Sequence, residues 1–232
     1  MLSGKELFGA PFLLTKYHMN ILFIGAHFDD IEIAAGGTVK KLSSSKENNI
    51  KALICCNSSY NNIEGKIQRS IDTAKSEGLK ALNFLGISDI EILNYESKFI
   101  PFNSNLIEDI EKCLIKFKPD LIFTHHPYDI HQDHQNVAKS TCAAARNYNN
   151  IYFYEPFGRS GRSYTIFKPT TYINIDDFIE DKIMSLKMHK SEYEKYGKNY
   201  WTDAIKSRCL LRGYEINYKY AECFEVFREV IL

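Results

Sequence analysis

The feature that most constrains the fold is an alternation along the chain. Short apolar runs at 21–25, 51–56, 90–93 and 121–124 are separated by segments with helical spacing at 32–45, 63–85 and 106–117. Short apolar runs bounded by turn residues read as buried strands. Strands that alternate with helices pair in parallel and are covered on both faces. The expected class is therefore α/β: a three-layer sandwich with a Rossmann-like, mostly parallel sheet and helices on both faces. Gly86 is placed to close the second helix and Pro119 to stop the third. A helix from 134 to about 147, strands at 151–154 and 171–175, a helix from the Asp176 cap to about 193, a helix over 201–212 and a strand over 220–227 follow. The Gly/Arg/Ser-rich segment 155–170 reads as a loop over a site.

No repeat, low-complexity tract or linker divides this pattern, so residues 19–232 are expected to form a single domain. Residues 1–18 precede the first strand and read as an N-terminal extension. Its apolar stretch can pack on the domain or on a neighbouring subunit, which makes a homo-oligomer one expectation. Charge narrows the partners. The 29 basic and 29 acidic residues cancel, which gives no electrostatic basis for nucleic-acid or membrane-surface binding. No apolar run approaches the ~20 residues of a membrane span. The six cysteines form no C-x-x-C pair, and most lie in apolar runs, so reduced thiols in a cytoplasmic protein are expected.

Chemistry concentrates at two strand ends. The first cluster runs Ala26-His27-Phe28-Asp29-Asp30-Ile31-Glu32, and the second runs from His125 to His134. Five of the seven histidines lie in these two stretches. Ligands of open α/β sheets bind at the carboxyl ends of strands, where both clusters fall. His27 and Asp30 are three apart on a turn, and His131 and His134 are three apart at a helix start. Two imidazoles and one carboxylate, with a fourth position open, form a common catalytic zinc site. An aspartate left beside the metal suits a general base. A spare histidine, His131, suits stabilisation of an oxyanion. Asp133 can orient an imidazole from behind. These residues alone leave Asp29 and Asp30 interchangeable.

The segment Ala26-His27-Phe28-Asp29-Asp30-Ile31-Glu32-Ile33-Ala34-Ala35-Gly36-Gly37 closely resembles the A-H-P-D-D-x-E-x-G-x-G-G signature of the PIG-L/LmbE-like deacetylases. His131-Gln132-Asp133-His134 resembles their H-x-D-H signature. Lys182, His189-Lys190-Ser191 and Tyr220-Ala221-Glu222-Cys223-Phe224 are similar to a lysine-bearing helix, an H-K-S segment and a Y-A-E-x-F strand of the family. The resemblance implies Zn2+ (or Fe2+ or another divalent metal) on His27, Asp30 and His134. It further implies Asp29 as general base, His131 as the electrostatic or acid partner, and hydrolysis of the N-acetyl group of an amino sugar or sugar conjugate. Phe28 stands where the signature has proline, so an aromatic facing the substrate is expected there. Ala74 aligns with an arginine that often contacts substrate in relatives, and Arg69 lies more than a turn too early to replace it simply. Glu192 replaces a common glutamine.

Tyr128 and Arg159 are further candidates for substrate contact, with Arg146 and Arg162 as weaker anion-binding candidates. Tyr154 and Glu155 are placed to line a pocket, and Tyr196, Tyr200 and Trp201 to stack on a sugar, although packing is the simpler role for these three aromatics. Two other readings stand beside deacetylation. Two histidines and a carboxylate also make the facial triad of non-haem Fe(II) oxygenases, usually on a jelly roll. A non-catalytic nucleotide-binding domain is the other, but the first βα turn lacks the glycines a pyrophosphate needs.

Overall fold

The computed structural model describes residues 18–158 and 162–230. In chain order the elements are β1 (Asn20–Gly25), α1 (Asp30–Ser43), β2 (Asn49–Cys56), β3 (Tyr60–Asn61), β4 (Ile67–Arg69), α2 (Ile71–Leu85), β5 (Asp89–Tyr95) and α3 (Ser104–Phe117). Next come β6 (Leu121–Thr124), α4 (Gln132–Ala144), β7 (Ile151–Tyr154), β8 (Thr171–Asn174), a single 3-10 turn, α5 (Ile179–Met188), α6 (Lys190–Lys195), α7 (Asn199–Tyr214) and β9 (Ala221–Arg228). Seven strands form the main sheet in the order β5-β2-β1-β6-β7-β9-β8. The first five in that order are parallel, while β9 pairs antiparallel with both β7 and β8. This is the α/β architecture the alternation predicts.

Period-two alternation distributes the core. Ile21 and Phe23 of β1 enter one apolar cluster with residues of α1 and α2, while Leu22 and Ile24 enter another with residues of α3 and α4. Phe23 stacks on Phe123 of the neighbouring β6, their ring centroids 4.8 Å apart. The strand order puts the topological switch between β1 and β6. From β1 the chain winds outward through β2 and β5, then returns to β6 on the other side. The crevice at such a reversal is where α/β sheets bind ligands.

Two sequence expectations need correction. The segment 63–85 is not one helix. Tyr60–Asn61 and Ile67–Arg69 pair as a short antiparallel ribbon, and only Ile71–Leu85 is helical. The Asn62 side chain accepts from the Glu64 and Lys66 amides, and Gly65 has φ +80°, which closes the turn. Ser70 then caps α2 by accepting from the Thr73 amide at 3.1 Å. Gly86 ends α2 in the left-handed conformation, as expected. The helix expected from 176 to 193 is broken at His189 into α5 and α6. All six cysteines are free thiols. Among the described residues no helix is long and apolar enough to cross a membrane. The expected extension falls, apart from His18, outside the described residues.

Candidate active site

The loop after β1 and the loop after β6 meet at the switch point. His27 Nδ1 lies 3.4 Å from Asp30 Oδ2, and His134 Nε2 lies 3.3 Å from Asp30 Oδ1. One ligand atom from each of His27, Asp30 and His134 falls within 4.8 Å of the other two. Bonds of about 2.0–2.1 Å set neighbouring donors of a tetrahedral zinc about 3.4 Å apart, so the donor set fits such an ion. Two overlapping groups, His27 with His131 and Asp133, and His125 with Asp129 and His134, draw on the same cluster.

Carboxylates behind the two imidazoles select between these options. His27 Nε2 is 2.9 Å from Asp133 Oδ2, and His134 Nδ1 is 3.0 Å from Asp129 Oδ2. A proton on each of those nitrogens leaves His27 Nδ1 and His134 Nε2 as the free lone pairs, and both point to Asp30. Asp133 is held by the Lys98 and Ile100 amides, at 2.6 and 3.2 Å. Asp129 accepts from the His131 amide at 2.9 Å. His125 stacks on His134 with centroids 4.0 Å apart and lies 3.0 Å from Asp30 Oδ2. Burial opposes the charge of Asp30, but His134, His125 and His27 outweigh it and hold the carboxyl well below its usual range. Burial also opposes a charged His134, yet Asp30 and Asp129 push that imidazole up to about 9, so near neutrality Nε2 carries a proton that a bound cation would displace.

Asp29 has a different environment. It is the N-cap residue of α1, with φ 111° and ψ −23°. A non-glycine residue in this region costs of order 1–3 kcal/mol. Burial first, then the charges of Glu192 and Asp30, raise its carboxyl to about 7. His131 caps α4, its Nδ1 accepting from the Asp133 amide at 3.2 Å. Its ring stacks on His134 at 4.5 Å and stands edge-on to His27 at 5.0 Å. Burial, then His134 and His27, lower it to about 4, so the ring is neutral near pH 7. With Nδ1 an acceptor, the proton of the neutral ring sits on Nε2.

His27, Asp29, Asp30, His131 and His134 all line one cavity of about 890 Å³. Its walls include Tyr154, Glu155, Arg162, Tyr196, Tyr200 and Trp201, which the sequence marked as candidates. The structure disagrees on three others. Phe28 is 1% exposed and belongs to the core, so its ring does not line the cavity. Tyr128 is 54% exposed, points out beside His126 and is not among the lining residues. Arg146 is exposed on α4's far end, paired with Glu111. Arg159 lies outside the described residues.

Arg69 and Glu192 emerge as cavity residues whose placement the sequence left open. Arg69 comes from β4 rather than from α2, and its guanidinium reaches Phe28 O, Glu77 and His189 Nδ1. Glu192 Oε1 is buried without a hydrogen bond, 3.6 Å from Arg69 Nη1. Ala74, the aligned position in α2, is fully buried in the core. His125 and Asp129 were within the second cluster, but no spacing rule marked their roles.

Fold and site together define an α/β chain with a two-histidine, one-aspartate cluster at the switch point of its sheet. The PIG-L family, GlcNAc-PI de-N-acetylase, matches residues 22–145, and the chain belongs to it. A diacetylchitobiose deacetylase of Thermococcus kodakarensis is 23% identical over 220 residues, covering 87% of this chain and 80% of that protein. Among solved structures, the N,N'-diacetylchitobiose deacetylase of Pyrococcus horikoshii superposes with a TM-score of 0.75 at 23% identity, covering 90% of this chain and 83% of the other. The 4-carboxy-2-hydroxymuconate hydratase GalB of Pseudomonas putida shares the fold as well, with a TM-score of 0.74 at 15% identity over 92% of this chain and 98% of its own.

Proposed function

We propose that this protein hydrolyses the N-acetyl group of an amino sugar or sugar conjugate, releasing acetate and a free amine. The observation that carries the reading is the convergence of His27 Nδ1, His134 Nε2 and Asp30 on one point, with the Asp29 carboxyl separate beside them. The hydratase with the same fold means that architecture alone does not set the reaction. Family membership and the sugar-deacetylase name of the Thermococcus relative support deacetylation and a sugar substrate. The α/β fold and the acidic first turn speak against the jelly-roll oxygenase and the dinucleotide-binding alternatives.

His27, Asp30 and His134 would hold the metal, with zinc the first choice for this donor set. A bound divalent cation would supply Lewis-acid polarisation of the acetyl carbonyl and lower the pKa of water toward about 7. Asp29 takes the proton of the attacking water, and its raised pKa suits it to that transfer near neutrality. It then returns the proton to the leaving nitrogen. His131, neutral and carrying its proton on Nε2, donates a hydrogen bond to the oxygen on which charge develops.

The test is a screen of N-acetylated sugars (free, nucleotide-linked and lipid-linked) with the metal-loaded protein. Acetate and primary amine are expected in equal amounts from at least one class. Oxygen consumption without acetate release would refute the reading.

A further inference from the structure

The left-handed Asp29 is held through its neighbour. A dihedral φ describes the peptide plane that precedes a residue, so the Phe28–Asp29 peptide sets the φ of Asp29. Three contacts fix that segment. The Phe28 amide donates to Ser58 Oγ at 2.8 Å, and the Phe28 carbonyl accepts from Arg69 Nη1 at 3.3 Å. The third is the Phe28 ring, which is buried in a slot opposite Gly78 of α2. A Cβ at position 78 would overlap ring atoms Cδ1 and Cγ and lie 2.8 Å from Cε1. Only a residue without a side chain admits the ring there. Glycine in the interior of a helix is otherwise unfavourable relative to alanine, so the slot is kept against local propensity.

We propose that Gly78 and Phe28 are positioning residues for the reaction: the slot in α2 seats the ring, and the seated ring holds Asp29 in the conformation that presents its carboxylate to the cavity. The proposal rests on the reading of Asp29 as the general base. Neither residue lines the cavity, so their effect is transmitted through the backbone segment that carries Asp29. A strained conformation persists where its surroundings over-determine it, and the ring supplies the constraint that the two hydrogen bonds alone do not.

The experiment compares wild type, Gly78→Ala, Phe28→Leu and the double variant, each loaded with Zn2+. Gly78→Ala is expected to lower kcat at least about tenfold, because a displaced base loses its near-attack geometry. KM is expected to stay within about twofold, the signature of a group acting in the transition state alone. Adding Phe28→Leu conserves the volume of the slot and is expected to restore kcat to within about threefold of wild type. Crystal structures should show Asp29 leaving the left-handed region in Gly78→Ala and returning in the double variant. Unchanged kcat and unchanged Asp29 φ in Gly78→Ala would overturn the proposal. If Gly78→Ala does not fold, Phe28→Leu alone decides: kcat is expected at about one third or less, and an unchanged kcat with unchanged φ refutes it. A wild-type protein that releases no acetate sinks the functional reading instead, and the φ comparison still decides the positioning claim.

Discussion

At the residue scale, the site is defined as much by the groups behind the imidazoles as by the imidazoles themselves. Asp133 and Asp129 each take one ring nitrogen and leave the other facing Asp30. Asp133 was legible in the sequence, because it sits inside the H-x-D-H spacing. Asp129 was not, since a Tyr-Asp pair after a proline reads as an ordinary turn. Its role arises only when His134 is brought back over the β6 end by the first turn of α4. Asp129→Asn keeps the shape but weakens the hold on the His134 Nδ1 proton. Metal affinity is expected to fall about 10–100-fold, measured by competition with a chelating dye. An affinity equal to wild type would remove Asp129 from the account. Phe28 shows the opposite error. An aromatic in a motif position suggested substrate contact, and only the three-dimensional opposition of Gly78 shows that the ring belongs to the core.

At the element scale, α1 carries Asp30 in its first turn, with Asp29 as its cap, and is clamped by two buried charged pairs. The Glu222 carboxylate accepts from the Gly37 and Thr38 amides at 3.0 and 2.6 Å, while Lys182 bonds Glu222 and donates to the Ile33 carbonyl at 2.7 Å. The second pair, Glu32 with His189, is 2.8 Å apart and fully buried. Through these contacts the Y-A-E-x-F strand, the lysine helix and the H-K-S segment, all far from α1 in sequence, serve that one helix. The pairing itself has no local sequence signal. The same limit applies to 63–85, where apolar spacing suggested a helix and the Asn62–Gly65 turn chemistry prevailed.

The His189 pair also gives a pH prediction. Burial opposes its charge, but Glu32 and Asp29 outweigh burial and the neighbouring Arg69, so the folded pKa lies above the ordinary value of 6.5. Its stabilisation is therefore full below about pH 6.5 and is lost as pH rises through the folded value. The stability gap between wild type and His189→Gln, measured by urea unfolding, should shrink as pH rises from about 6 to about 8. A gap independent of pH would contradict the assignment.

At the scale of the whole molecule, the strand order does the decisive placing. Parallel pairing of β1 with β6 sets the ends of the two motif strands side by side, about 100 residues apart in sequence. The alternation of apolar runs revealed that sheet, and the motif spacing marked the His/Asp residues that the fold brings together. The cavity walls were less legible, because they come from the β3–β4 ribbon, the segment after β7 and the α6–α7 region, which only the folded chain assembles. The central claim is a metal site with a separate general base, and one measurement addresses it directly: metal content and acetate release for wild type and Asp29→Asn. Both proteins should bind about one Zn2+ per chain, and the variant should lose about 10²–10⁴-fold in kcat. Full activity in Asp29→Asn, or loss of its metal, would contradict the division of labour between Asp29 and Asp30.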